Sequence, residues 1–195
     1  MNDYFVDKDI ISYFCEFVVK NICNYCYNVV YNTAPVLLAD QKEELEMINK
    51  DQQEFAKYIN LSYEGVDFSD QSMQRVYQQQ YYLMCEHPEN WVFYTFWTVV
   101  SLSQRTIVGC VNFNDVPNVD GEAEIGFYTN PKHQNQGYAT LAVELLCNFA
   151  KNNNVKKLVA NIDKTNIQAL KVLEKNNFRL RNQTQDILSL EKGIF

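Results

Sequence analysis

Glycine and proline are scarce in this 195-residue chain, at six and four copies. Collagen-like, linker-rich and low-complexity architectures need both in bulk, so they are excluded. Long apolar runs are missing too. No stretch reaches the roughly 18 uninterrupted apolar residues that a membrane span requires. The first residues lack the basic start and unbroken apolar core of a signal peptide, because Asp3, Asp7, Lys8, Asp9, Glu16 and Lys20 interrupt them. Positive charge is in the minority: 17 Lys and Arg stand against 24 Asp and Glu, for a formal charge of −7. Such a surface opposes phosphate-backbone binding, so neither nucleic acid nor membrane is expected as a partner. The two histidines, His87 and His133, are isolated in sequence, and neither is assigned to catalysis. Cys23 and Cys26 form one C-x-x-C, but a metal site would want a second pair and there is none. They read as two small apolar residues on a helix. No metal is expected, and reduced thiols point to a cytoplasmic location.

What is present is enough to build a core. The hydrophobic fraction is 47%, which suits one domain with a terminal extension. Residues 1–32 form the extension. There Ile10, Ile11, Phe14, Phe17, Val18 and Ile22 recur at helical spacing. This amphipathic helix packs either on the domain or on a second subunit, which would make a homodimer. Residues 33–195 are the domain. "TAPVLLAD" (33–40) reads as a strand, and 41–60 and 69–86 as helices rich in Glu, Gln, Leu and Met. "NWVFYTFWTVVS" (90–101) is dense in aromatic and β-branched residues and reads as a buried strand, with "RTIVGCVNFND" a second. After the turn "PNVDG", "EAEIGFYT" (122–129) alternates between two faces, completing an antiparallel meander. A helix at about 137–152 places Leu141, Ala142, Leu145, Leu146 and Phe149 on one side. A strand (156–163), a helix (166–176) and two short strands follow. The class is mixed α/β, with one strand–helix–strand unit over 122–163.

One stretch, "PKHQNQGYAT" (131–140), raises a chemical question. A strand ends just before it and a long apolar-periodic helix begins just after. Helix starts leave backbone N–H groups unpaired and carry partial positive charge. Gly137 lets an anion approach the main chain, and Ala139 and Thr140 are small. The stretch fits a pyrophosphate cradle. It also fits an ordinary loop and helix start. No lysine follows the glycine, as a nucleotide P-loop would demand.

A second motif follows in the right order. Gln134, Gly137 and Ala139 give Q-x-x-G-x-A; one strand later come Asn166, Ala169, Glu174, Lys175 and Phe178. Together these resemble the GNAT superfamily of acyl-CoA-dependent N-acyltransferases, over about residues 35–191. "NWVFYTFW", "VDGEAEIGF" and "KVLEKNNF" look similar to the branch that includes ribosomal-protein N-terminal acetyltransferases. The resemblance implies a central, twisted, mostly antiparallel sheet with one parallel strand–helix–strand unit, flanked by helices. It implies acetyl-CoA as co-substrate and direct attack on its thioester by a primary amine, from a small molecule or a peptide N-terminus. The main chain at Phe127, Tyr128 and Thr129 would hold the pantetheine arm. Gln134 opens the cradle motif, and N–H groups of Asn135, Gln136, Gly137, Tyr138, Ala139 and Thr140 would hold the pyrophosphate. Asn166 would bond the pantetheine arm, or serve as a helix N-cap.

The sequence departs from the family pattern in three places. Asn177 replaces the usual glycine before Phe178, a mild change because Asn best tolerates the left-handed conformation at a helix end. Leu173 stands where many members carry a tyrosine that protonates the leaving thiolate. Asn161 stands where some carry a glutamate base. An alkyl amine has a pKa near 10 and must shed a proton to attack. Glu124 and Glu122 are the base candidates, with Asp163 a distant third; both glutamates also fit a solvated or salt-bridged strand edge. Tyr128, on the same strand face, is the candidate proton donor. Two functions follow: an acetyltransferase, or a catalytically idle acyl-CoA-binding module for regulation or interaction. Glu43, Glu44, Glu46, Asp51, Glu54, Asp67 and Asp70 make the side next to the acceptor acidic, which suits a polyamine, an aminoglycoside or a basic peptide; it also suits a plain solvated helix face.

Overall fold

The computed structural model describes residues 36–39, 46–47, 50–58, 60–63 and 71–195. The expected N-terminal helix, with Cys23 and Cys26, lies outside them, as do Glu43, Glu44, Asp67 and Asp70. In chain order the described elements are β1 (Val36–Ala39), α1 (Gln52–Tyr58), β2 (Ser62–Tyr63), α2 (Gln71–Glu86), α3 (Trp91–Tyr94), β3 (Phe96–Ser101), β4 (Thr106–Phe113), β5 (Glu122–Thr129), α4 (Tyr138–Asn152), β6 (Lys157–Asp163), α5 (Ile167–Lys175), β7 (Arg179–Gln183) and β8 (Ile187–Gly193).

The sheet runs β1-β3-β4-β5-β6-β8-β7. All neighbours on that path are antiparallel except β5 and β6, which are parallel and joined through α4. A two-residue parallel bridge from β2 to the start of β4 lies off the path. β3 is buried throughout. This is what a strand covered on both faces requires, and it explains the absence of polar alternation there. One face packs on α4 through Val143, Leu146 and Phe149, in a core with Val111, Phe113, Ile125 and Leu158. The other face packs beneath α1 and α2, with Phe55, Tyr77 and Met84 against Phe96, Val100 and Cys110.

Three expectations shift. The strand expected over 90–101 begins only at Phe96. Pro88 opens a 3-10 turn and Trp91–Tyr94 form one helical turn. There Phe93 stacks edge-on to Phe113, with ring centroids 5.1 Å apart, and the Trp97 indole donates to the Val92 carbonyl at 3.3 Å. Aromatic density demands burial, and a tight helical turn met that demand here as well as a strand would. Within the helix expected over 41–60, Asp51 starts a new cap: its Oδ1 accepts from the N–H groups of Gln53 and Glu54 at 2.8 and 3.1 Å. The buried face of α4 is Ala142, Val143, Leu146, Phe149 and Ala150, whereas Leu141 is 38% exposed. Both sets satisfy a 3.6-residue period, and docking chose between them.

Candidate active site

β5 is gripped by β6 only at its first three residues. The parallel register pairs Glu122, Ala123 and Glu124 with Lys157, Leu158 and Val159, and then stops. On its other side β5 stays in register with β4 from Ile125 to Thr129. The two parallel strands therefore part after Glu124. The Asn114 N–H donates to the Glu124 carbonyl and the Asn130 N–H to the Val108 carbonyl. Strand polar groups alternate sides, so Gly126 and Tyr128 also turn their backbone groups to β4. Phe127 turns its N–H and C=O toward the gap, and so does Thr129.

The gap opens into a cavity of about 620 Å³. Its walls include every residue expected to hold the cofactor except Gln136: Phe127, Tyr128 and Thr129 from β5, Gln134, Asn135, Gly137, Tyr138, Ala139 and Thr140 from the loop and α4, and Asn166 from α5. Gln136 instead donates its side-chain amide to the Lys132 carbonyl, bracing the loop at 3.2 Å. Asn135 and Gly137 are left-handed, with φ of 60° and 88°. Both turns fall in the loop that leads into α4. Among the described residues, no backbone carbonyl takes the N–H groups of residues 135–140. No atom lies within 4 Å of where a Gly137 side chain would begin, so the space above it is open. Tyr138 pins the helix start to β3 by donating to the Ser101 hydroxyl at 3.0 Å.

These features fit an acyl-CoA: a slot between parted strands for an extended amide-bearing arm, and free N–H groups at a helix start for phosphates. His133, set aside in the sequence, stands in the cavity wall. It is buried, lines the cavity and stands edge-on to Tyr138, yet neither ring nitrogen has a hydrogen-bond partner. A buried imidazole is rarely left so, and here both nitrogens are closed off from the cavity as well. Lys171 and Lys175 bring positive charge to the α5 wall. Asn166 caps α5, its Oδ1 accepting from the Ala169 N–H at 3.0 Å while the residue lines the cavity. Both of its expected roles are open to it.

The candidate acids and bases differ sharply. Glu122 is clamped by Lys157 at 2.9 Å and Arg181 at 2.9 Å, and both cations also approach Glu191. The Lys157 and Arg181 hydrogen bonds hold its carboxyl below the usual range. This is a structural ion cluster at the strand edge, and a poor place for a base. Glu124 makes no ion pair among the described residues. Its Oε1 accepts one hydrogen bond, from the Asn114 side chain at 2.8 Å. It sits at the last paired position before the strands part, facing away from α4 because Ala123 and Ile125 occupy the α4 face. Tyr128 shares that face; burial pushes its phenol up, with Cys110 nearby, so the group holds its proton at neutral pH. Asp163 is tied to the Thr165 N–H and hydroxyl, which lower its carboxyl. It closes a turn. Glu46, Asp51 and Glu54 are exposed.

The comparisons agree with this geometry. Residues 35–179 match the model of the acetyltransferase (GNAT) domain. The chain belongs to the GNAT acetyltransferase family. A Bacillus subtilis (strain 168) protein named "Uncharacterized N-acetyltransferase YjdG" is 33% identical over 91 residues, covering 46% of this chain and 54% of that protein. The match thus spans about half the length of that relative. Among solved structures, the ribosomal-protein-S5-alanine acetyltransferase from Vibrio fischeri is similar at a TM-score of 0.62 and 14% identity, covering 85% of this chain and 96% of that one. The Salmonella typhimurium acetyltransferase that modifies the N-terminal serine of ribosomal protein L7/L12 gives 0.60 and 17%, covering 84% and 97%. The spermidine/spermine N-acetyltransferase SpeG from Vibrio cholerae, in mutant forms, gives 0.57 and 16%, covering 82% and 94%. At these identities the likeness shows the fold. A ribosomal L7/L12 acetyltransferase of this fold has been solved with coenzyme A.

The GNAT departures have plain structural readings. Asn177 takes the left-handed conformation, with φ of 63°, that favours glycine after a helix end. Leu173 is fully buried in the α4-side core, so no proton donor acts from that position. Asn161 lines the cavity as a neutral amide. His133 and Asn114 were not legible as site residues: one is a lone histidine that only tertiary placement brings to the cavity wall, the other a turn-type residue that only tertiary placement brings to Glu124.

Proposed function

We propose that the protein transfers an acetyl group from acetyl-CoA to a primary amine, by direct attack of the amine on the thioester, with Glu124 taking the excess proton. Acetyl-CoA, when bound, supplies the activated acyl carbonyl. The chain's own residues do the rest. The N–H groups of residues 135–140 and the dipole of α4 neutralise phosphate charge at the cavity mouth. The main chain of Phe127 and the N–H of Thr129 face the pantetheine amides and fix the arm in the gap, the Thr129 carbonyl being held by the Gln134 side-chain amide at 3.3 Å. An N–H aimed into the gap, such as that of Phe127, also stabilises negative charge that develops on a carbonyl oxygen there. Glu124 stands where the gap closes, on the sheet face beneath α1 and α2. An amine from that face meets a carboxylate while the cofactor enters from the α4 and α5 side. Tyr128 is the group placed to return a proton to the leaving thiolate.

The observation that carries this reading is the parting of β5 from β6 directly after Glu124, with a phosphate cradle at the far end of the same strand. The ribosomal-protein and spermidine acetyltransferases of the same fold favour a peptide N-terminus or a polyamine as acceptor, and a cytoplasmic site of action. The buried Leu173 favours a second reading, an idle acyl-CoA-binding module. Thiol release from acetyl-CoA, measured against a panel of polyamines, aminoglycosides and peptides with free N-termini, separates the two. Turnover on one amine class supports the enzyme. Tight acetyl-CoA binding with no release above the no-amine rate on any of them overturns it.

A further inference from the structure

Two glutamates on one strand, two residues apart, are held in opposite ways. Glu122 is met by two cations and Glu124 by one neutral amide. A cation stabilises the charged carboxylate strongly and so weakens it as a base. An amide donor orients the carboxylate at much smaller cost to its basicity. The amide that meets Glu124 is itself fixed from three directions. Asn114 Oδ1 accepts from Asn112 Nδ2 at 3.0 Å, which leaves the Asn114 NH2 group to face Glu124. The main-chain carbonyl of Asn114 accepts from the Gln80 amide, reaching across from α2 at 3.1 Å. The Asn114 N–H holds the Glu124 carbonyl at 2.9 Å. Asn112 is buried and also donates to the Phe113 carbonyl at 3.2 Å. Its Oδ1 occupies the space beside Gly126, 2.8 Å from where a side chain there would start. A glycine on β5 thus admits Asn112, Asn112 turns Asn114, and Asn114 aims Glu124.

We propose that Asn114 is a positioning residue for the reaction, holding Oε1 of Glu124 so that Oε2 is presented to the amine. This rests on the reading of Glu124 as the base. Among the described residues Oε2 has no partner, so one carboxylate oxygen is anchored and the other is open. The charged groups of the surrounding strands are otherwise engaged: Lys157, Arg181 and Glu191 in the cluster around Glu122, and Asp115 beside Tyr94. Tyr128 is the further titratable group on the same face of β5.

The experiment uses the full chain and two readouts. The first is the carboxyl-carbon NMR signal of Glu124, assigned by its loss in Glu124→Gln and followed through pH. The second is thiol release from acetyl-CoA with saturating spermidine and with a Ser-initiated basic peptide. Asn114→Asp keeps the shape but puts a second carboxylate against Glu124. The Glu124 signal should then titrate about one pH unit or more higher, and the acid limb of turnover should move with it. Asn114→Ala should lower kcat by roughly 10-fold with acetyl-CoA affinity unchanged. Asn114 is exposed, so both variants should stay folded, with the unfolding midpoint of Asn114→Asp lowered at neutral pH by the repulsion between the two carboxylates. In a Glu124→Gln background, Asn114→Asp should no longer move the limb. If the Glu124 signal and the acid limb stay in place in Asn114→Asp while Glu124→Gln is slow, positioning by Asn114 is wrong and the base reading survives. If Glu124→Gln turns over as fast as wild type, the base reading itself fails. If neither amine turns over, the NMR titration alone decides, and an unmoved signal overturns the proposal.

Discussion

Asn176, the residue that ends α5, donates its side-chain amide to the main-chain carbonyl of Thr140 in the first turn of α4, at 3.0 Å. The same amide reaches the Val172 carbonyl at 3.1 Å, closing its own helix. Asn176 is 5% exposed. One buried side chain therefore finishes one helix and hooks it to the start of another, beside the proposed phosphate cradle. We expect Asn176→Ala to cost about 1–2 kcal/mol, the usual price of breaking such a bond in a buried place. Urea unfolding measures the loss. A variant as stable as wild type would show that the hook contributes nothing.

Gly137 separates backbone strain from charge. Its φ of 88° is costly for any side chain, although the space around it is open. Gly137→Ala should lower stability by about 1–2 kcal/mol and leave much of the acetyl-CoA affinity. Gly137→Asp adds a negative charge to the cradle and should weaken acetyl-CoA binding by on the order of 10-fold beyond the alanine variant. Calorimetric titration of both proteins decides it. Equal affinities in the two would remove the cradle from the argument.

The ion cluster around Glu122 should act on stability and leave the chemistry alone. Lys157 and Arg181 lower the folded carboxyl below its unfolded value. Between those values the unfolded chain binds more protons, so stability rises with pH. The contribution is present above the ordinary glutamate range, about pH 4.3, and is lost as the pH falls through the folded value. Glu122→Gln should flatten that part of the acid slope, read as the change in urea midpoint between about pH 7 and about pH 3.5. Added salt should shrink the difference, since the groups are solvent-accessible. Turnover at neutral pH should stay near wild type.

Glu124→Gln should behave in the opposite way. Fold and acetyl-CoA affinity should hold, and turnover should fall 100-fold to 10,000-fold, the usual range for a general base. Raising the pH supplies free amine from solution and should recover part of the loss. Lost positioning does not recover with alkali, so parallel pH profiles for the two proteins would mark Glu124 as structural.

The fold was legible because its signals are local. Alternation in "EAEIGFYT", the turn chemistry of "PNVDG" and the helical period after Gly137 each depend on neighbours in sequence. So did the left-handed Asn177, which follows from what a helix end requires. The residues of the proposed cradle could be picked out for the same reason, since a strand, a small-residue loop and a helix start that can receive an anion lie within about ten residues. Local pattern could not tell a strand from a helical turn at Trp91–Tyr94, because both bury aromatic rings. It could not choose the buried stripe of α4 either, because that choice belongs to the sheet it docks on. In sequence both Glu122 and Glu124 were base candidates, with the salt-bridged reading weighing more on Glu122, and nothing local named the partner of either. Arg181, 59 residues away, and Asn114, just past the end of β4, made one a structural ion and left the other open at the point where β5 and β6 part. Electrostatic partners are set by distance in space, so only the folded chain could distinguish the two glutamates.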